Sequence, residues 1–204
     1  MSEGARLVDE LRPYVRDERV LAAIERTPRE AFVPPDLRAH AYDNTALGIG
    51  YGQTISQPLV VARMTELLEL RPGDRVLDVG TGSGYHAAII ASLAGHVWSV
   101  ERHADLSRAA AEALARAGVE NVTLLVGDGS LGLPEEAPFD AINVAAAGGR
   151  EALLTLEGQL ALGGRLVAPV IGRRQRLAVA RRESDRVRWR ELEEVRFVPL
   201  VRDG

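Results

Sequence analysis

The run DVGTGSGY, Asp78 to Tyr85, decides how this chain is read. Before it stands Arg75-Val76-Leu77-Asp78-Val79, which reads as a strand. After it Tyr85–Ala94 reads as a helix, closed by Gly95. A glycine turn between a strand and a helix lets the backbone adopt positive φ and approach a ligand closely. The glycines fall at 80, 82 and 84, with Asp78 two residues before the first. A dinucleotide loop of the GxGxxG kind would need glycine at 85, and that position is Tyr85. The GxGxG spacing suits S-adenosylmethionine better than a nicotinamide dinucleotide, because the former has no pyrophosphate to set on the helix N-terminus.

Outward from the loop, strand and helix alternate. His96–Glu101 reads as a strand, Ala104–Ala117 as a helix closed by Gly118, and Val122–Val126 and Phe139–Ala145 as strands. Glu151–Leu162 reads as a helix closed by Gly163-Gly164, followed by a strand over Arg165–Val170. Two further β-prone segments, Arg176–Arg181 and Val195–Leu200, flank a charged stretch. Upstream, Leu59–Leu70 is an amphipathic helix, and residues 43–58 have the glycine and proline content of a loop. Short apolar stripes (Leu7, Leu11 and Tyr14, then Val20, Leu21 and Ile24) predict short helices near the N-terminus. Thr27-Pro28-Arg29-Glu30 predicts a helix start, with Thr27 as N-cap. The expectation is an α/β protein with a doubly wound, Rossmann-like sheet. It comprises a helical N-terminal extension with an active-site loop (1–58), a cofactor-binding core (59–170) and a C-terminal β segment (171–204), all in one domain.

The next strand tips extend the cofactor reading. Glu101 ends its strand where a carboxylate can accept both ribose hydroxyls of an adenosyl group. The third strand runs into Gly127-Asp128-Gly129, whose acid and backbone can address the adenine edge. Three acidic or glycine elements thus gather at the carboxyl edge of a parallel sheet.

Composition narrows the field. The chain has 204 residues, 46% of them hydrophobic, and a net charge of −4. It has no basic tail, which gives no reason to expect nucleic-acid binding. With no long apolar run and no leader-like start, a cytoplasmic protein without a membrane partner is expected. It has no cysteine, which excludes disulfides and zinc–thiolate sites. It also has no lysine, which excludes Schiff-base chemistry. The arginine and alanine richness fits genome base composition first and heat adaptation second.

Several blocks resemble the protein-L-isoaspartate (D-aspartate) O-methyltransferase family, in its order. They are REAFVPPDLRAHAYDN, GYGQTISQPLVVARMTELLEL, VLDVGTGSGYHAAIIA, GDGSLGLPEEAPFDAI, GGRLVAPV and VRFVPLV. The glycine loop is common to many methyltransferases, whereas GQTISQP is far more specific. The resemblance implies methyl transfer from S-adenosylmethionine to the α-carboxylate of L-isoaspartyl (and D-aspartyl) residues in damaged proteins. S-adenosylhomocysteine would be the product, and no metal would be involved. It makes Ser56 the catalytic residue, with Thr54, Ile55 and Gln57 contacting substrate. It assigns the cofactor to Asp78, Gly80, Thr81, Gly82, Ser83, Gly84, Glu101, Asp128 and Gly129. Gln175 would match a C-terminal polar residue that approaches the site. The partners would be isoaspartyl-containing peptides and proteins, and the chain is expected to be a monomer.

The segment NVAAAGGRE, Asn143 to Glu151, departs from the family pattern: it lacks the usual threonine and proline. Asn143 also puts an amide in a strand that should be buried, where it needs hydrogen-bond partners. The departure leaves open a methyltransferase of the same fold acting on another substrate, and a noncatalytic binding module is a third reading. His40, His86, His96 and His103 show no metal-ligand spacing and read as surface or helix-face residues. Trp98 is expected in the core or pocket wall, and Trp189 as a half-exposed packing residue. Arg173-Arg174-Gln175-Arg176 is expected as a solvated turn.

Overall fold

The computed structural model describes residues 2–184 and 186–202. The sheet follows from the apolar runs. β3 (Arg75–Val79), β4 (His96–Glu101) and β6 (Phe139–Val144) are buried along almost their whole length, as strands covered on both faces must be. With β5 (Val122–Val126), β7 (Leu160–Ile171), β8 (Gln175–Arg182) and β9 (Val187–Glu194) they form seven strands in the order β5-β4-β3-β6-β7-β8-β9. β5 through β7 are parallel, and β8 and β9 add antiparallel strands at one edge. The chain moves outward from β3 to β4 and β5, then returns to place β6 on the other flank of β3. The crevice beyond the carboxyl ends of β3 and β6 is therefore a topological switch point, the expected ligand position in such sheets.

Helices α3 (Pro58–Leu68), α4 (Tyr85–Ala91) and α5 (Ala104–Arg116) cover the sheet. Every residue of α4 is buried, because the N-terminal helices α1 (Glu3–Leu11) and α2 (Glu18–Arg26) close over it. Their apolar stripes meet Tyr85, Ile89 and Leu114 in one cluster that also takes in Ile55. Arg165 ties the end of α3 to the sheet. It donates to the carbonyls of Leu68, Glu69 and Asp140 and to the Asp74 carboxylate. Among the described residues no helix is long and apolar enough to cross a membrane.

Five expectations are corrected. Residues 43–58 are not all loop, since Leu47–Gly50 (β1) and Gln53–Ile55 (β2) pair as an antiparallel hairpin. The turn needs the left-handed region at Gly50, Tyr51 and Gly52, which explains why the stretch lacks strand character. Glu151–Leu162 is not one helix. It is a 3-10 turn over Arg150–Leu153 and a single α turn, α6 (Leu154–Glu157), and β7 already begins at Leu160. Gly163 stands at φ 77° within that strand, where the pairing with β6 slips between Phe139 and Ala141. The Gly163-Gly164 pair therefore belongs to a β-bulge, not to a helix C-cap. The charged stretch before Val195 is itself β9, an edge strand that keeps Trp189 half-buried and turns its arginines and glutamates to water. Val195–Leu200 is the segment without strand structure apart from a bridge at Pro199. Thr27 starts no helix: its hydroxyl donates back to Ala23 at the end of α2, and only a 3-10 turn, Arg29–Phe32, follows.

Candidate active site

The strand tips and the hairpin enclose one cleft of about 1070 Å³. Its floor is Val79, Gly80, Thr81, Gly82 and Ser83 from the glycine loop, and Val100, Glu101 and Gly129 from the next two strand tips. The hairpin side brings Gln53, Thr54, Ile55, Ser56 and Gln57. The opposite wall is Ala145, Ala146 and the tail from Glu194 to Val201.

The glycine loop needs its glycines. Gly80, Gly82 and Gly84 all take positive φ. At Gly82 an added Cβ would stand 3.4 Å from Cδ1 of Ile49, so the hairpin lies directly over the loop. Gly84 serves a different purpose: it is buried away from the cleft, and an added Cβ would lie 3.2 Å from Cβ of Ala110 on α5. At Gly129 a Cβ would overlap Cγ1 of Val79 at 2.6 Å, so a side chain there would push two strand tips apart.

Glu101 is 5% exposed and faces the cleft. One carboxylate oxygen accepts from the Gly82 amide at 2.9 Å and the other from the His103 amide at 3.0 Å. Each oxygen has a second lone pair, so the carboxylate can brace the loop and still accept two ligand hydroxyls. Asp128 is half-buried at the start of the next turn, its side chain accepting from the Ser130 amide.

Asp78 does not line the cleft. It is fully buried and accepts from Ser99 Oγ at 2.6 Å and from Asn143 Nδ2 at 2.7 Å. The same Asn143 amide group reaches Nδ1 of His86 at 3.2 Å, and Nε2 of His86 meets Thr65 Oγ1 at 3.1 Å. Thr65 Oγ1 donates to the Val61 carbonyl, so the His86 proton is on Nε2 and Nδ1 is an acceptor. Thr81 Oγ1 and Ser99 Oγ, 2.6 Å apart, tie the network to the glycine loop. Burial holds His86 neutral, its pKa pushed down to about 3. Burial pushes Asp78 up to about 6 against the pull of the Ser99 and Asn143 hydrogen bonds. The out-of-place Asn143 of the sequence is thus the hub of a network bracing the loop from below. His86, expected on a surface or helix face, is buried because α4 has no exposed face. The signal in the sequence was the polar residue in an apolar strand, but not its partners.

The remaining expectations find their places. Gln175 does not reach the cleft; its amide grips the tail by bonds to the Phe197 carbonyl and amide, at 3.2 and 2.7 Å. The tail is also held where Ala147 bonds Val198 and Leu200. The tail as a cleft wall was missed: VRFVPLV was legible as a β-prone block, not as a lining. Trp98 is buried against Phe139, and Trp189 donates to Glu157 beneath Arg150. The turn at 173–176 is solvated in part, with Arg174 on Glu194. Among the described residues no group of three or more His, Asp or Glu is placed to hold a metal.

At the hairpin tip Tyr51 stacks on His103 with ring centroids 5.0 Å apart, and its hydroxyl donates to Asp105 at the start of α5. This latch holds the hairpin across the first turn after Glu101. Tyr51→Ala is expected to raise the KM for the methyl donor about threefold to tenfold with little change in melting temperature, because the residue is exposed and anchors only the tip. Steady-state kinetics with varied donor checks this, and an unchanged KM removes the latch.

A family model described as protein-L-isoaspartate(D-aspartate) O-methyltransferase matches residues 2–204. The chain is 53% identical over 192 residues to protein-L-isoaspartate O-methyltransferase 1 of Rhodopseudomonas palustris, covering 93% of this chain and 78% of that one. It is 53% identical over 188 residues to the protein-L-isoaspartate O-methyltransferase of Methanoculleus marisnigri, covering 92% and 85%. A solved protein-L-isoaspartate O-methyltransferase superposes with a TM-score of 0.84 at 31% identity, over 96% of this chain. This chain spans 65% of that longer one. A Plasmodium falciparum β-aspartate methyltransferase, crystallised with S-adenosyl-L-homocysteine, also gives a TM-score of 0.84, at 25% identity over 100% of both chains.

Proposed function

The chain belongs to the protein-L-isoaspartate (D-aspartate) O-methyltransferase family, and from that membership we infer that it methylates the α-carboxyl group of L-isoaspartyl residues in damaged proteins, using S-adenosylmethionine. The observation that carries the reading of the site is that the Thr54–Gln57 segment and Glu101 line one cleft, with the glycine loop between them. The residues fit the donor. Gly80 and Gly82 leave the backbone open to it, and Glu101 keeps lone pairs for the ribose hydroxyls. Gly129 lets the third strand tip pack directly on Val79, which sets the position of the cleft wall beside the donor. Asp78 and Gly84 act from behind, through the loop they brace, and Asp128 through its turn.

The nucleophile needs no base, since a carboxylate with a pKa of about 3–4 is already ionised at neutral pH. For the same reason the reading assigns no metal to the reaction. When bound, the sulfonium donor would supply an activated methyl group whose carbon–sulfur electron pair can stay with sulfur, and Gly80, Gly82 and Glu101 would hold it. What the protein supplies is alignment, worth about 7–11 kcal/mol of barrier when the geometry is right. Ser56 donates from its hydroxyl to one carboxylate oxygen and leaves the other free to attack. A neutral donor suits this step, because a cation there would hold back the nucleophile as its charge is lost. Thr54, Ile55 and Gln57 seat the peptide around it, with the 194–201 tail as the facing wall. The methyl ester then closes to a succinimide and opens partly to normal aspartate, away from the enzyme. Segments 1–58, 59–170 and 171–204 work as one domain, because each supplies a wall. We take the enzyme as a cytoplasmic monomer acting on proteins rather than nucleic acids.

The test is transfer of labelled methyl to an isoaspartyl peptide beside its aspartyl twin. Labelling of the first alone is expected, and equal labelling of both sinks the substrate assignment. In the same assay Ser56→Ala is expected to lower kcat about tenfold or more while S-adenosylhomocysteine affinity stays within about twofold. Unchanged turnover removes Ser56 from the mechanism.

A further inference from the structure

Two arginines are buried among the described residues, and they are bound differently. Arg165 has a carboxylate, Asp74, at 2.7 Å. Arg29 has carbonyls alone. Its Nε donates to Ala41 at 2.8 Å, and its Nη2 donates to Ser56 at 2.8 Å and reaches Thr45 at 3.4 Å. Its guanidinium carbon lies 4.6 Å from the centre of the Tyr85 ring, and Nη1 is buried without a hydrogen-bond partner. The neighbouring acid, Glu30, is taken by the Tyr42 hydroxyl.

A buried cation held by dipoles alone costs stability, and an apolar side chain would fill the space more favourably. Its contacts say what the charge is used for. Ala41 and Thr45 belong to the segment leading to the hairpin, Ser56 is the residue assigned to the substrate carboxylate, and Tyr85 is the first residue after the glycine loop. A planar fork with fixed donor directions can hold carbonyls from separate segments at set distances, which a lysine ammonium cannot. Asn44 adds to the same clasp, its Oδ1 accepting from the Leu59 amide at the start of α3.

We propose that Arg29 is a positioning residue for methyl transfer: its guanidinium, clamped on the Ala41 and Ser56 carbonyls over the Tyr85 ring, holds the Ser56 loop at the height above the glycine loop that in-line attack requires. This rests on the assignment of Ser56, through which Arg29 acts.

The test is a double-mutant cycle in the full chain, reading kcat and KM on an isoaspartyl peptide and S-adenosylhomocysteine affinity by calorimetry. Arg29→Lys keeps the charge and loses the fork. It is expected to lower kcat about tenfold, as Ser56→Ala does, with affinity for the product within about twofold. Adding Arg29→Lys to Ser56→Ala is expected to cost no more than about a further twofold, because the two act as one unit. Full retention of kcat by Arg29→Lys overturns the proposal, as does a full tenfold further loss in the Ser56→Ala background. If Ser56→Ala itself is silent, the assignment of Ser56 falls; if only Arg29→Lys is silent, the clamp alone falls. Should Arg29→Lys not fold, hydrogen exchange on the unaltered enzyme decides. Isoaspartyl peptide binding is expected to slow exchange over residues 41–45 together with 53–57, and slowing confined to 53–57 overturns the clamp.

Discussion

Glu101→Ala is expected to weaken the binding of S-adenosylhomocysteine by about 100-fold or more. The carboxylate holds two amides, Gly82 and His103, and in the proposed reading also accepts the two ribose hydroxyls. A hydrogen bond to a charged group is worth about 1.5–3 kcal/mol, so losing two to the ligand removes about 3–6 kcal/mol. Releasing the Gly82 amide adds to this, because the loop must then be ordered at the moment of binding. Glu101→Gln keeps an acceptor and loses the charge, so its affinity is expected to fall between the two. Calorimetric titration reads both, and a change of less than about threefold for alanine moves the ribose away from Glu101.

The second large effect concerns pH and Asp78→Asn. Asp78 has a folded pKa raised from 3.8 to about 6, so its contribution to stability is complete below the unfolded value and is lost as pH rises through about 6. His86 runs the opposite way. Its folded pKa is lowered from 6.5 to about 3, so its contribution is present above 6.5 and is lost as pH falls toward 3. Between about pH 4 and pH 6 the folded protein holds one proton on Asp78 that the unfolded chain lacks, and lacks one on His86 that the unfolded chain holds. Each group alone gives a slope of about 1.4 kcal/mol per pH unit, and the signs cancel. Asparagine at 78 accepts the Ser99 hydrogen bond and removes one of the two slopes. The variant is therefore expected to lose about 3 kcal/mol more than the parent between about pH 6 and pH 4, or about 6–12 °C in melting temperature for a chain of this size. Denaturation across that range checks it, and parallel stability curves for the two proteins would show that Asp78 and His86 do not oppose each other.

What could be read from the chain beforehand was whatever depends on local pattern. The apolar runs at Val76–Val79 and Val97–Val100 and the glycines between strand and helix gave the parallel core and its switch point. GQTISQP gave the family, and the structure places its Ser56 on the cleft. What could not be read depends on partners distant in sequence. Asp78 has the look of a ligand contact until Asn143 and Ser99 are seen to consume it. Gly163-Gly164 ends a helix by local rules, and only the slipped pairing with β6 makes it a bulge. Thr27-Pro28-Arg29-Glu30 carries a helix-start signal, and burial of Arg29 under the hairpin overrides it. The charges of β9 hide a strand because an edge needs only one apolar side.

The tail that closes one side of the cleft is fastened to Gln175 and to Ala147 by main-chain and amide bonds, with Val195, Phe197 and Leu200 half-buried against the core. None of its side chains is fully buried, so it detaches at a smaller free-energy cost than the sheet behind it. Activity is therefore expected to fall in gentle heat or dilute urea while the circular dichroism is still that of the intact protein, and to return on cooling. On that expectation a catalyst that mends ageing proteins fails first at its rim, not in its scaffold.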